Sequence, residues 1–223
     1  MKEFCSFFGI KKGITALIGG GGKTSTMYAL AEYLKTMGSV IVCTSTHILK
    51  PAQYPYCPYL SVPLKTGEVV SVGTADGKKL GMPEQSFKEL SSLADFVLVE
   101  ADGSRQLPLK AHADHEPVIP PEANTVLVVI GVDGIGKPIE QVAHRPELFA
   151  NRCGASVQDT VTPEMIHTVV SAYPGCDGVI INKADDPERI QFAELLADLF
   201  TVPVAVTAWQ TEHPIKTYRR NDK

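Results

Sequence analysis

The chain has 223 residues, 44% of them hydrophobic and 21% charged, enough for a folded protein with a sizeable buried core. That balance excludes a largely disordered chain, a coiled coil and a collagen-like fibre. Lys and Arg number 21 against 25 Asp and Glu, a net charge of −4, so no basic surplus exists to displace counterions from a nucleic-acid backbone, and the 7% aromatic content offers little for base stacking.

The amino-terminal segment MKEFCSFFGIKKG has an early acid and few apolar residues before Lys11, a poor secretory signal. The most apolar stretch, residues 125–132, is strand-sized, whereas a spanning helix needs about 20 apolar residues; no membrane segment is expected. Five cysteines (Cys5, Cys43, Cys57, Cys153, Cys176) form no CxxC pair and read as reduced thiols in a cytoplasmic protein.

In chain order, an apolar run at 14–18 leads into Gly19-Gly20-Gly21-Gly22-Lys23-Thr24-Ser25. Met27, Leu30, Ala31 and Leu34 then recur at helical spacing up to Gly38, and a second apolar run at 40–43 ends on Thr44-Ser45-Thr46-His47. This is a βαβ unit around a glycine loop. Residues 51–63 hold four prolines and three tyrosines, which forbid a long helix or a central strand and predict an ordered surface excursion. Residues 66–82 read as an antiparallel appendage, so the whole stretch 50–82 is expected to be an irregular insertion.

A helix is predicted over 83–93, then a strand over 96–99 ending on Glu100, a polar turn-rich segment over 101–121, and a strand over 126–130. Thr162-Pro163-Glu164 has the form of a helix start. A strand over 179–181 runs into Asn182-Lys183-Ala184-Asp185, followed by a helix over 187–200 and a last strand over 202–206. Continuous apolar strands alternating with helices predict a single α/β domain over 1–223, with a mostly parallel sheet and helices on both faces.

A strand feeding a glycine-rich turn, with Lys-Thr opening a helix, is the context of a phosphate-binding loop. Gly19, Gly20, Gly21 and Gly22 would supply backbone donors, Lys23 the cation for the phosphates, and Thr24 a hydroxyl for Mg²⁺, with Ser25 beside it. Leu17 stands where the full GxxxxGK[ST] pattern needs its first glycine; the shorter GxxGKT form resembles the loop of Mur-type ligases and, more loosely, that of nucleotide-dependent metal-insertion proteins. Asn182, Lys183 and Asp185 resemble the NKxD element with which GTPases grip guanine, and Asp185 or Asp186 would otherwise cap the following helix. GTP and ATP both remain open as ligand. Glu100 or Asp102, at the end of an apolar strand, would hold Mg²⁺ or its water. Lys23, Asp102 and Thr46 are the catalytic candidates, Thr46 through a hydroxyl facing the γ-phosphate.

The loop 110–116 contains His112, Asp114, His115 and Glu116. It offers nitrogen ligands for a transition metal but no remote ligand to complete the set, and a solvated polar loop is the plainer explanation. Arg105 and Lys110 are better candidates for anion contacts. His144-Arg145-Pro146-Glu147 reads as surface, with a substrate clamp as the alternative.

The combination GGGGKTS, CTSTHI, VEADGSRQLPLKAHADHEPVIP and INKAD resembles the YqeC-like family of P-loop NTPase-like accessory proteins for selenium-dependent hydroxylases, over most of residues 14–206. The resemblance implies a nucleoside triphosphatase, with a molybdenum hydroxylase or its cofactor as partner. The reading on these grounds is Mg²⁺-dependent nucleotide binding with slow hydrolysis. A Mur-like ATP-dependent ligase or group transferase, and a non-catalytic nucleotide-bound docking protein, are the alternatives.

Overall fold

A computed structural model describes residues 1–173 and 175–220. The chain is α/β, with a mostly parallel sheet flanked by helices. It divides into two compact units, the first made of Met1–Ile18, Thr24–Gly103 and Pro117–Val126, the second of Gly19–Lys23, Ser104–Glu116 and the chain from Leu127 onward.

The first unit opens with α1 (Lys2–Phe7), β1 (Gly13–Gly19, its last residue assigned to the second unit) and α2 (Lys23–Leu34). It continues through β2 (Val40–Thr44), β3 (His47–Leu49), β4 (Tyr56–Cys57), β5 (Val69–Val72), β6 (Thr74–Asp76), β7 (Lys79–Gly81), α3 (Phe87–Leu93) and β8 (Phe96–Glu100). Its strands run in the order β1-β8-β2-β5-β4, all parallel. The core strands β2 and β8 are buried at every position, as expected of parallel strands covered on both faces. Met27, Leu30, Ala31 and Leu34 of α2 are fully buried, the stripe that the helical spacing predicts.

The stretch 50–82 is more regular than its composition suggests. Val69–Val72 is no appendage: three of its four residues are buried, and it pairs in parallel with β2. Only β3, β7 and β6 form a separate antiparallel sheet. The proline-rich excursion contributes the two-residue β4, a strand short enough for an edge position. Gln85 orders it by bonding both the amide of Leu60 (2.7 Å) and its carbonyl (3.0 Å). Helix α3 starts four residues later than predicted because Ser86 and Glu89 form a reciprocal cap.

The second unit comprises β9 (Leu109–Lys110), β10 (Ala123–Gly131, whose first residues belong to the first unit), α4 (Ile139–Val142), β11 (Ala143–His144) and α5 (Pro146–Cys153). It continues with α6 (Pro163–Val170), β12 (Gly178–Asn182), α7 (Pro187–Ala197), β13 (Val204–Thr207) and β14 (Ile215–Arg219). Its strands follow the order β10-β12-β13-β14, parallel except for β14. Thr162 caps α6 through Met165 N–H, as its sequence predicts, and Asp186 caps α7 through Arg189 N–H. The short elements α4, α5, β11 and β14 have no counterpart in the sequence reading. Among the described residues no helix is long and apolar enough to cross a membrane, and the five cysteines are free thiols.

Replacing Ser86 with Ala should remove the half of the α3 cap made by its hydroxyl, leave its backbone N–H bonded to Glu89, and lower stability by about 1 kcal/mol. Urea denaturation of the variant beside wild type measures this directly.

Candidate functional site

In the second unit the glycine loop is packed backbone to backbone. The Gly20 amide donates to the Val129 carbonyl (2.9 Å) and the Gly21 amide to the Leu107 carbonyl (3.1 Å). A Cβ at Gly19 would lie 2.4 Å from the Val129 oxygen, one at Gly20 2.6 Å from the Pro108 oxygen, and one at Gly21 2.0 Å from the Gly131 nitrogen. At Gly22 it would lie 2.4 Å from Asn182 Nδ2. The four glycines are therefore required by close approach within the protein itself. The Gly20 and Gly21 amides, expected as ligand donors, are taken by protein carbonyls instead. The buried Lys23 bends back, its ammonium donating to the Gly19 carbonyl at 2.7 Å.

Asn182 ties this loop to the end of β13. Its Nδ2 donates to the Gly21 carbonyl (2.9 Å), and its Oδ1 accepts from Thr207 Oγ1 (3.2 Å). Lys183 has a left-handed backbone (φ 67°) and reaches Asp133, Nζ to Oδ2 2.8 Å. Asp133 escaped the sequence reading. The available signal was the apolar β10 running directly into Val132-Asp133-Gly134, the same form as the β8 end with Glu100 and Asp102-Gly103. Asp185 lies at the exposed start of α7, where it pairs with Arg189. Asn182 and Lys183 are thus drawn toward the loop and Asp133, whereas Asp185 faces its own helix.

In the first unit Thr24, the residue after Lys23, donates its hydroxyl to Glu100 Oε2 at 2.7 Å. Glu100 is only 6% exposed. Its backbone carbonyl accepts from Thr44 Oγ1 (2.7 Å), and Thr46 Oγ1 lies 3.3 Å from Thr44 Oγ1. The register explains the convergence: Glu100 pairs with Leu17 of β1 and with Thr44 of β2, so all three stand at the carboxyl end of their parallel strands. Asp102, two residues on, is completely buried, and Ser25 is half-buried in the first turn of α2. The Thr24 hydroxyl and the Glu100 carboxylate are hard oxygen donors of the kind that suits Mg²⁺, which keeps several of its own waters.

The histidine loop is organised by ion pairs. Lys110, its side chain fully buried, lies 3.0 Å from Glu116 Oε2, and Arg145 bonds the same oxygen. Burial works to raise the Glu116 pKa, but the hydrogen bonds from Arg145 and Lys110 outweigh it and hold the carboxyl below its ordinary value. His112 packs edge-on against Tyr173 with ring centroids 4.3 Å apart, and His115 Nε2 lies 3.4 Å from an Arg145 nitrogen. Among the described residues no group of three His, Cys, Asp or Glu side chains has the geometry to hold a metal. His144 and Arg145, read from sequence as surface, are half-buried members of this network.

Two substitutions test these contacts, with a third as comparison. Gly21→Ala should cost about 3 kcal/mol, because its methyl meets backbone; Gly77→Ala, also at positive φ but in open space, should cost about 1 kcal/mol. Glu116→Gln should destabilise by about 3 kcal/mol near neutral pH by removing the carboxylate that Lys110 and Arg145 both reach. A depressed folded-state pKa means that this contribution is complete above the ordinary value of 4.5 and fades as pH falls through the folded value, so the gap between variant and wild type should close in acid. Urea melts from pH 7 to pH 3 read both effects.

The family described as YqeC protein matches residues 15–147, which take in the glycine loop, Glu100, the segment 105–116 and Arg145. The Escherichia coli (strain K12) protein named Uncharacterized protein YqeC is 32% identical over 162 residues, 66% of this chain and 63% of its own length. The chain therefore spans somewhat less than two thirds of that relative. With its glycine loop, acidic strand end and ion-paired loop all inside the matched segment, the chain belongs to the YqeC family.

Proposed function

We propose that the protein binds a nucleoside triphosphate with Mg²⁺ and hydrolyses it slowly, as an accessory factor in maturation of selenium-dependent molybdenum hydroxylases. The observation that carries the nucleotide reading is the 2.7 Å bond from Thr24 to Glu100, directly after Lys23 in the chain. It pairs the first hydroxyl of the helix behind a glycine loop with the acid at an apolar strand end. The place in hydroxylase maturation rests on family resemblance alone.

In this reading the amides at the start of α2 and the Lys23 ammonium take the phosphates, exchanging the Gly19 carbonyl for phosphate oxygen. Thr24 and Glu100 would hold Mg²⁺, which when bound neutralises charge developing on the transferred phosphoryl group. Asp102 and Thr46 would orient the attacking water through their place beside Glu100. Asn182 fixes the glycine loop from behind. Asp185 would read the base only by giving up Arg189, so GTP over ATP depends on that exchange. Transfer of the phosphoryl group to an acceptor other than water is the second reading, favoured by the cationic cluster around Lys110 and Arg145.

Lys23→Ala should weaken ATP or GTP binding at least tenfold, about 1.4 kcal/mol. Glu100→Gln should suppress Mg²⁺-dependent turnover while leaving metal-free nucleotide binding in place. Asp185→Ala should erase any GTP/ATP preference. Calorimetry with both nucleotides, and phosphate release with and without Mg²⁺, provide the readouts. Wild-type affinity in a folded Lys23→Ala protein would refute the phosphate assignment, and a surviving base preference would make Asp185 a helix-start residue only.

A further inference from the structure

Three residues of α2 stand one helical turn apart on a single face: Thr24, Tyr28 and Glu32. The outer two are bonded within the first unit. Thr24 donates to Glu100 Oε2 (2.7 Å), and Glu32 accepts from the hydroxyl of Tyr54 (3.0 Å). Between them stands the half-buried Tyr28, whose hydroxyl makes no hydrogen bond among the described residues. Its ring is held all the same. Tyr54, only 8% exposed, packs edge-on against it with centroids 5.6 Å apart and an interplanar angle of 81°.

Helix geometry gives the phenol its direction. Side chains on an α-helix lean toward the amino terminus and cover the preceding turn, which for Tyr28 is the turn of Thr24. Glu100, bonded to Thr24, is felt at Tyr28: burial first, then the Glu100 charge, push the phenol above its ordinary pKa. Tyr54, at the far end of the row, answers instead to Glu32 and Tyr28. A carboxylate that holds a divalent cation depends on hydrogen bonds to keep its orientation. Thr24 is itself assigned to the cation, so a donor outside the ligand set is what the site requires, and the Tyr28 hydroxyl is the one at hand on the same helix face.

We propose that Tyr28 is a positioning residue for the cation site: its hydroxyl is the donor that fixes the Glu100 carboxylate when a divalent cation is bound, and the Tyr54 ring keeps the phenol in place. This rests on the reading of Thr24 and Glu100 as ligands of the cation. It does not require that the cation arrive with a nucleotide.

The test titrates the full chain with Mn²⁺, a hard cation that oxygen ligands also suit, and reads the free ion by its paramagnetic resonance, first alone and then with ATP present. Tyr28→Phe keeps the ring and its contact with Tyr54, and should weaken Mn²⁺ binding at least tenfold. Tyr54→Phe removes the bond to Glu32 and should leave the Mn²⁺ curve where it is. In a Glu100→Gln background Tyr28→Phe should cause no further loss, the mark of a residue that acts through Glu100. Urea midpoints of both variants complete the comparison, since a side chain that only packs α2 would lower stability without moving Mn²⁺ affinity. Unchanged affinity in Tyr28→Phe, an equal loss in Tyr54→Phe, a full further loss in the Glu100→Gln background, or no Mn²⁺ binding to wild type in either condition would overturn the assignment. Failure of the nucleotide reading would show separately, as ATP affinity that Lys23→Ala leaves unchanged while Mn²⁺ binding to the chain alone still depends on Tyr28.

Discussion

The backbone of residues 19–22 lies so close to the carbonyls of Leu107, Pro108 and Val129, the amide of Gly131 and the side chain of Asn182 that none of the four positions has room for a Cβ. Most else follows from that constraint. Three of the four glycines hold positive φ, at 98°, 72° and 116° for Gly19, Gly21 and Gly22, which L side chains adopt with difficulty. The loop is shaped by its own protein, through contacts that leave no room for a side chain. Asn182 gains its meaning here as well, as the side chain that bonds the loop from behind.

Within the first unit, register sets the geometry. Parallel pairing places Leu17, Thr44 and Glu100 in line, and Glu100 then serves twice, by its carboxylate to Thr24 and by its carbonyl to Thr44. A buried carboxylate of this kind costs free energy unless hydrogen-bonded, and the Thr24 hydroxyl meets that demand. A divalent cation would meet it better. The same logic applies to Lys110, whose burial is offset by a carboxylate that Arg145 also claims.

The parts of this architecture that depend on neighbours in sequence were legible in the sequence. Continuous apolar runs mark β1, β2, β8, β10, β12 and β13, and Thr162-Pro163 marks the start of α6. The glycine loop and the NKAD element announce themselves by residue type. What the sequence hid depends on distance along the chain. Asp133 meets Lys183 across 50 residues and Arg145 meets Glu116 across 29, and neither pairing leaves a local trace. α4 is too short for a helical period to register, and β14 has no buried residue to set an alternating pattern. Val69–Val72 misled because flanking glycines and lysines resemble a hairpin, whereas its burial against β2 decides its place.

A crystal structure of the protein grown with Mg²⁺ and a non-hydrolysable nucleoside triphosphate tests the central claim most directly. The account predicts β- and γ-phosphates against the amides at the start of α2, Lys23 turned from Gly19 to phosphate oxygen, and the metal on Thr24 with Glu100 in or beside its coordination shell. Phosphates seated away from residues 19–24, or a Thr24–Glu100 bond that persists unchanged with the nucleotide in place and the metal elsewhere, would contradict it.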